Sequence, residues 1–133
     1  MATLFADNLV VITGGSSGIG RALAHAFASE GARLVLTATN ESRLSDVAKE
    51  CAQLGASVST YAADVSDFEQ MQGLFARVRE EHGTPDILIN NAGILRDKSF
   101  LKMEPENWHL VLDVHLNGAY NVSRPAFAVM KDK

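Results

Sequence analysis

The chain has 133 residues, and its 12 Lys and Arg residues against 16 Asp and Glu residues give a formal net charge of −4. This length suits one domain that buries roughly two-thirds of its unfolded surface. A hydrophobic fraction of 47% excludes a disordered or collagen-like chain. The negative charge balance argues against nucleic acid or an anionic membrane as a partner.

The single cysteine, Cys51, excludes a disulfide framework and favours a reducing compartment. No apolar run approaches the roughly 20 residues of a membrane helix. The start of the chain shows no secretory-signal pattern, and the histidines show no metal-ligand spacing. We therefore expect a cytoplasmic protein without a metal site.

The first part of the chain predicts two strands, each followed by a helix. Leu9–Thr13 is an apolar run closed by glycines, which is typical of a buried parallel strand. A helix is predicted from Ile19 to Glu30, and the apolar face of this helix includes Ile19. Leu34–Leu36 predicts the second strand, and Asn40 is the expected N-cap of the helix that follows.

The second part continues the same alternation. Val58–Ala63 predicts the third strand and Ile87–Ile89 the fourth. Ser66–Glu69 has the pattern of a capping box, in which a Ser hydroxyl and a Glu carboxylate satisfy backbone donors reciprocally at a helix start. Pro105 marks the first turn of a long helix, and we expect Pro125 to kink or interrupt it. Four strands alternating with helices predict an α/β fold, a doubly wound parallel sheet with helices on both faces.

A glycine-rich turn lies between the first predicted strand and the first helix. Gly14 permits a tight turn, Gly18 lets the backbone approach a phosphate, and Gly20 lets the helix pack on the sheet. Ser16 and Ser17 add hydroxyl donors. A helix N-terminus offers free N–H groups and a dipole that favours anions. This strand–turn–helix context predicts a dinucleotide phosphate site, and no Gly-Lys-Ser/Thr follows to indicate a Walker-type loop.

Two more motifs accompany the glycine turn. The three are Gly14-x-x-x-Gly18-x-Gly20, Asp64-Val65 after the third strand, and Asn90-Asn91-Ala92-Gly93 after the fourth. Together they resemble the short-chain dehydrogenase/reductase family from about Leu9 onward. The resemblance implies that residues 1–133 are a single NAD(P)-binding, Rossmann-like domain. It further implies a three-layer fold represented by its N-terminal part, with four strands in the order 3-2-1-4.

The resemblance also implies roles for individual residues. Asp64 is expected to bind the adenine amino group beside the Val65 backbone, and Asn91, Ala92 and Gly93 are expected to line the nicotinamide ribose. The implied cofactor-binding residues are Gly14, Ser16, Ser17, Gly18, Ile19, Gly20, Thr39, Asp64, Val65, Asn91, Ala92 and Gly93.

The residues after the second strand bear on the choice of cofactor. An acid there binds the ribose 2′-hydroxyl of NAD, but this chain has Thr39 and Asn40 and no acid until Glu41. Both side chains can donate to a 2′-phosphate, and Arg43 is near in sequence. Ser17 argues against NADP(H), because many NADP-using members of the family carry a basic residue at this position. We expect NADP(H), with NAD(H) as the alternative.

Members of the family transfer a hydride between the nicotinamide and a carbonyl or alcohol carbon, with the help of a Ser and a Tyr-x-x-x-Lys pair. No such pair occurs up to Lys133, because Tyr120 is followed four residues later by Arg124 and Tyr61 lies in a strand. We therefore reject both tyrosines as the catalytic acid. His115 stands at the family's catalytic Asn position, where it can join a proton relay or simply pack.

The substrate class and the activity of the chain stay open at this point. The His115 substitution and the stretch Asn91–Phe100 are similar to (3R)-hydroxyacyl-CoA dehydrogenase modules. The stretch Gly93-Ile94-Leu95-Arg96-Asp97 and Thr37-Ala38-Thr39 are similar to 3-oxoacyl-thioester reductases. This similarity implies that the substrate is a small molecule, namely a 3-oxoacyl thioester. It also implies that the domain forms a homo-oligomer when it is complete. The alternatives are a non-catalytic dinucleotide-binding fragment or truncated isoform, and an incomplete product. An unpaired, apolar fourth strand predicts association or poor solubility of the isolated chain.

Overall fold

The structure, a computed structural model, describes residues 3–94, 96 and 98–133. Leu95 and Asp97, which belong to the stretch that carries the substrate resemblance, lie outside the described residues. The strands are β1 (Leu9–Thr13), β2 (Arg33–Ala38), β3 (Val58–Ala62) and β4 (Ile87–Ile89). The helices are α1 (Gly18–Ser29), α2 (Glu41–Gln53), α3 (Phe68–His82), α4 (Pro105–Leu112) and α5 (Gly118–Met130).

The four strands form one sheet in the order β3-β2-β1-β4, and every pairing is parallel. Because side chains alternate along a strand, β1 serves two cores. Val10 and Ile12 face the layer of α1 and α2, whereas Leu9 and Val11 face the layer of α3 and α5. The predicted three-layer α/β fold and its strand order are confirmed.

The packed face of α1 differs from the sequence prediction. Ile19 was expected on the apolar face, but it is 73% exposed, and the buried residues of α1 are Gly20, Ala24 and Ala28. A Cβ at Gly20 would lie 2.0 Å from the carbonyl oxygen of Gly14. The helix therefore approaches the sheet more closely than large side chains would allow, and small residues form the contact.

The start of α3 corrects the predicted capping box. The N-cap is Asp67, whose Oδ1 accepts from the backbone N–H of Gln70 at 3.1 Å, and Nε2 of Gln70 donates to Oδ2 of Asp67 at 3.0 Å. The Ser66 hydroxyl instead donates to the carboxylate of Asp64 at 2.7 Å. The capping pair thus begins one residue later, because the Ser66 hydroxyl is already bonded to Asp64, two residues before it.

Of the two outcomes expected at Pro125, a kink or an interruption, the interruption does not occur. α5 continues through Pro125, and its buried residues include Val122 and Ala126, so packing on the core holds the helix on both sides of the proline. The departure from α-geometry lies earlier, at Asp113–Asn117, where a π-turn joins α4 to α5. Within the described residues, none of the helices has both the length and the apolar character needed to cross a bilayer.

Candidate functional site

A cavity of about 330 Å³ opens at the carboxyl ends of the strands. Its wall is built by the glycine-rich turn after β1 and by the segments that follow β2, β3 and β4. Open parallel α/β sheets bind their ligands at this edge. All the predicted cofactor-binding residues except Gly18 and Gly20 line it. The lining residues that were not predicted to bind the cofactor are Ala38, Ala63, Ile94 and Val114.

The glycine turn has the backbone geometry that its sequence predicts. Gly14 and Gly18 adopt positive φ angles of 68° and 54°, a region that residues with a Cβ rarely enter. A Cβ at Gly14 would lie 2.9 Å from Cα of Ala92, so the turn and the loop after β4 are in close contact. No atom lies within 4 Å of a Cβ built at Gly18, which leaves the mouth of the turn open.

The N-terminus of α1 is left available for an anion. Its N-cap, Ser17, makes no side-chain capping bond, and the first turn of α1 holds no acidic residue. By contrast, Asn40 caps α2, as predicted, and Asp67 caps α3, and these helices carry Glu41 and Glu69 in their first turns. The first N–H groups of a helix lack intrahelical partners and lie at the positive end of its dipole. The α1 terminus therefore fits a phosphate group.

Thr13 ties the loop after β4 to the glycine turn. Its buried Oγ1 accepts hydrogen bonds from the backbone N–H groups of Asn91 and Ala92, both at 3.0 Å, and donates to the carbonyl oxygen of Ile89 at 3.4 Å. The side-chain amide of Asn91 donates to the carbonyl oxygen of Gly14 at 3.2 Å. This role of Thr13 was not predicted, although a hydroxyl at the end of an otherwise apolar strand is a signal for it.

Asp64 is held in a fixed orientation at the rim of the cavity. Its Oδ1 accepts from the backbone N–H and the hydroxyl of Ser66, at 2.9 and 2.7 Å. Its own backbone N–H donates to Oε1 of Gln70 at 3.0 Å. Val65, the next residue, is 7% exposed and belongs to the core. Both residues of the Asp64-Val65 motif thus lie where the sequence placed them, and binding of adenine there stays a prediction.

His115 lies beside the main cavity, in a smaller one of about 120 Å³ that shares Ala92, Val65 and Val114 with it. Its Nε2 lies 3.0 Å from the backbone nitrogen of Ile94 and 2.8 Å from the carbonyl oxygen of the same residue. The ring therefore contacts the loop after β4. A catalytic role of His115 stays a prediction.

The two tyrosines are engaged elsewhere. The Tyr61 hydroxyl is hydrogen-bonded to the carboxylate of Glu81 and lies 2.9 Å from Nε2 of His82. Burial and the bond to Glu81 raise the pKa of Tyr61 to about 12. The Tyr120 hydroxyl accepts from Arg124 at 3.0 Å. Among the described residues, neither tyrosine is part of the cavity wall.

Comparison with known families agrees with the fold and the motifs. The family model described as "short chain dehydrogenase" matches residues 8–133. The chain belongs to this family. Its members are oxidoreductases, and the three motifs found in the sequence are those by which the chain resembles them.

Known relatives give the extent of the similarity. "Probable oxidoreductase EphD" of Mycobacterium tuberculosis is 45% identical over 90% of this chain, which spans 20% of that protein. The 3-oxoacyl-[acyl-carrier-protein] reductase FabG of Thermotoga maritima is 37% identical over 86% of this chain, which spans 46% of it. L-Sorbose reductase from Gluconobacter frateurii, solved with NADPH and L-sorbose, superposes with a TM-score of 0.91 at 33% identity, over 99% of this chain and 51% of its own. The chain therefore spans about half or less of the length of these relatives.

Proposed function

We propose that the chain binds NADP(H) and is the cofactor-binding part of an oxidoreductase that acts on a carbonyl or hydroxyl substrate. The observation that carries this proposal is one cavity lined by the glycine turn and by residues after all four strands, represented by Gly14, Thr39, Asp64 and Asn91. The NADPH complex of the similar L-sorbose reductase supports it.

Each part of the cavity suits one part of such a cofactor. The N-terminus of α1 and the hydroxyls of Ser16 and Ser17 bind the phosphates. Asp64, oriented by Ser66, accepts from the adenine amino group. The loop that begins at Asn91 lines the nicotinamide ribose, and Thr13 keeps that loop in place. The bound cofactor supplies or accepts the hydride, while these residues bind and orient it.

The preference for NADP(H) is proposed on the charges beside the cavity. Ser17, Arg21 and Arg43 line an adjoining depression of about 240 Å³ at the N-terminus of α1, together with the carboxylates of Asp46 and Glu50. Arg21 donates to both oxygens of Glu50, at 2.9 and 2.8 Å, so its charge is already paired. Arg43 makes no side-chain ion pair with the described residues, and Thr39 carries no charge that would repel a 2′-phosphate.

Substitution of Arg43 tests this preference. Arg43→Gln is expected to weaken NADPH binding about tenfold, the loss of one charge-assisted hydrogen bond, and to leave NADH binding unchanged. Arg79→Gln, at an exposed position on α3 outside the cavity, is the matched control. Fluorescence titration with both cofactors decides the matter. Tighter binding of NADH than of NADPH by the wild-type chain would overturn the proposal.

The proposed substrate class is a 3-oxoacyl thioester. The similarity to the reductase FabG of Thermotoga maritima supports it, together with the stretch from Gly93 and the His115 position. The test fuses this chain to the C-terminal half of that reductase and follows NADPH oxidation with acetoacetyl-CoA. Absence of turnover by a fusion that still binds NADPH would contradict the thioester assignment.

A second candidate is cofactor binding without turnover by the 133-residue chain. It is favoured by two contacts outside the cavity. The Tyr61 hydroxyl is bonded to Glu81 and the Tyr120 hydroxyl to Arg124, so neither hydroxyl is placed to act as the catalytic acid. NADPH binding without oxidation of NADPH by acetoacetyl-CoA would support this candidate. Measurable turnover by the unfused chain would exclude it.

A further inference from the structure

We propose that Glu50 is a specificity-determining residue for the cofactor, which holds the guanidinium of Arg21 against α2 and so weakens the preference for a 2′-phosphate. This inference rests on the proposed function, since it assumes that a nicotinamide dinucleotide occupies the cavity. Glu50 belongs to none of the three motifs, and it does not line the cavity itself. Its effect is exerted through Arg21.

Two rows of polar side chains face each other between α1 and α2. Their members recur every three or four residues, so each row lies on one face of its helix. The rows are Ser17, Arg21 and His25 on α1, and Arg43, Asp46 and Glu50 on α2. Ser16 and Ser17 line both the cofactor cavity and the depression between these rows, so the two spaces meet at the start of α1.

The carboxylate of Glu50 is fixed by two side chains of α1. Arg21 donates from Nε to Oε2 at 2.9 Å and from Nη2 to Oε1 at 2.8 Å, the two-pronged geometry that suits a guanidinium and a carboxylate. Nε2 of His25 lies 2.6 Å from Oε2 and donates to it, because an ionised carboxylate only accepts. The bond from Arg21, followed by that from His25, holds the pKa of Glu50 below its ordinary value. The carboxylate is therefore charged at neutral pH.

The ion pair determines where the charge of Arg21 lies. A long side chain on a helix leans over the preceding turn, towards the helix N-terminus. The residue one turn before Arg21 is Ser17, the N-cap without a capping bond at which a phosphate fits. The Arg21 side chain is 51% exposed, so the bond to Glu50 fixes its direction and burial does not. Without Glu50, the guanidinium could lean towards Ser17 and the anion site.

The pairing limits what the depression offers to a 2′-phosphate. Its two arginines, Arg21 and Arg43, are balanced by the carboxylates of Asp46 and Glu50. Within the part of the chain that the structure describes, Arg43 and Asp46 make no ion pair, whereas Arg21 is held by Glu50. Recognition of the 2′-phosphate is thus left to Arg43. We expect the wild-type chain to prefer a 2′-phosphate only modestly.

The first test needs no ligand. The Nε–H of Arg21 is observed by NMR in the wild-type chain and in Glu50→Ala, and loss of the acceptor should speed its exchange with water about fivefold. Asp46→Ala is the matched control, because it removes a carboxylate from the same depression and leaves the ion pair intact. Equal exchange rates in the wild type and Glu50→Ala would overturn the proposal.

The second test measures the contribution of the 2′-phosphate alone. The nucleotides 2′,5′-ADP and 5′-AMP differ only by that phosphate, so the ratio of their Kd values in titration calorimetry reports the preference. Glu50→Ala should bind 2′,5′-ADP about fivefold more tightly and 5′-AMP as the wild type does. Asp46→Ala removes the same charge without releasing an arginine and should improve 2′,5′-ADP binding by about twofold at most. Equal gains in the two variants would refute a role for Arg21.

The third test removes Arg21 as well. In Arg21→Ala/Glu50→Ala no guanidinium is released, so the gain in 2′,5′-ADP binding should disappear. A double variant that keeps the gain would contradict the proposal, as would a Glu50→Ala chain that binds both nucleotides more weakly, the result of a merely structural role. Failure of the proposed function gives a different result, since the wild-type chain would then bind neither nucleotide, and this inference would fall with it.

Discussion

Asn121 on α5 donates a hydrogen bond from its side-chain Nδ2 to the main-chain oxygen of Val65, over 2.9 Å. Asn121 is only 6% exposed and lies beside apolar residues of α5 such as Val122. A buried amide is tolerated in such a layer when it is paired. Because Val65 lines the cavity, this bond connects the packing of α5 to the position of the wall after β3.

Replacement of Asn121 tests the strength of that connection. Asn121→Leu leaves the Val65 carbonyl oxygen without its partner, and we expect the free energy of unfolding to fall by about 1–3 kcal/mol in urea denaturation. Gln72→Leu also exchanges a helix amide for leucine, but at an exposed position on α3. It should change stability by less than about 0.5 kcal/mol. Equal effects of the two substitutions would argue against the structural role of the Asn121–Val65 bond.

Thr13 is expected to be needed for NADPH binding, because it holds the loop after β4 in position. Thr13→Val keeps the shape of the side chain but leaves the N–H groups of Asn91 and Ala92 without their acceptor, at a cost of about 1–3 kcal/mol. Titration calorimetry should therefore show weaker NADPH binding together with the loss of stability. Thr60→Val, at an exposed position on β3, is the control. If Thr13→Val binds NADPH like the wild type, Thr13 does not hold the loop in its binding position.

Gly20→Ala should abolish cofactor binding. The added methyl group would lie 2.0 Å from the carbonyl oxygen of Gly14 and 2.6 Å from the side-chain nitrogen of Asn91, so α1 must move away from the turn. Gly73→Ala is the matched control, since no atom lies within 4 Å of its new Cβ in α3. Helix propensity predicts that Gly73→Ala stabilises the chain by up to about 1 kcal/mol. NADPH binding by Gly20→Ala at wild-type affinity would contradict the observed turn.

The fold was predictable because its signals are local and strong. β1 is apolar on both faces, and all five of its residues are buried, which is why Leu9–Thr13 could be recognised as a central parallel strand. The glycine turn follows the same logic, since Gly14 and Gly18 are required by backbone conformation. Thr39, Asp64 and Asn91 each follow a predicted parallel strand, so they could be assigned to the same edge of the sheet without knowledge of tertiary contacts.

The remaining features depend on contacts between segments distant in sequence. The close approach of α1 is set by the carbonyl oxygen of Gly14, so periodicity alone could not show that Ile19 is exposed. The N-cap of α3 is Asp67 and not the predicted Ser66, because the Ser66 hydroxyl is hydrogen-bonded to Asp64. The bond from Asn121 spans 56 residues, and nothing in the sequence near Asn121 indicates its partner.

The Tyr61 hydroxyl is expected to lose its proton only at a pH well above the usual range for tyrosine. Burial and the hydrogen bond to Glu81 raise its pKa to about 12, because both favour the neutral hydroxyl. In Tyr120→Phe, Tyr61 is the sole tyrosine, so absorbance in the ultraviolet reports its ionisation alone. The unfolded chain should titrate near 10. Stability linked to Tyr61 is therefore present below pH ~10 and is lost as the pH rises towards 12.

Substitution of Glu81 separates the two causes. Glu81→Gln removes the carboxylate but leaves the burial of Tyr61 in place, so the native titration should move only part of the way back towards 10. A native pKa near 10 in the Tyr120→Phe chain would show that Tyr61 is not held as the structure places it.

Asp86 should make the chain sensitive to acid. Its carboxylate lies 2.6 Å from Nζ of Lys133 and accepts from the backbone N–H of Leu9 at 2.8 Å. These contacts, led by Lys133, hold the pKa of Asp86 below its ordinary value. The stability they add is present above the unfolded pKa of about 3.9 and is lost as the pH falls through the lower folded pKa.

Thermal unfolding between pH 7 and pH 2 tests this link. Asp86→Asn should lower Tm at pH 7 and flatten the decline of Tm below pH ~4, because the substituted side chain no longer takes up a proton on unfolding. Asp46→Asn, which removes an exposed carboxylate on α2, should leave the acid limb close to that of the wild type. If Asp86→Asn and Asp46→Asn give the same pH profile, Asp86 does not contribute to stability through Lys133 and Leu9. A steeper acid limb in Asp86→Asn would contradict the direction of the pKa shift itself.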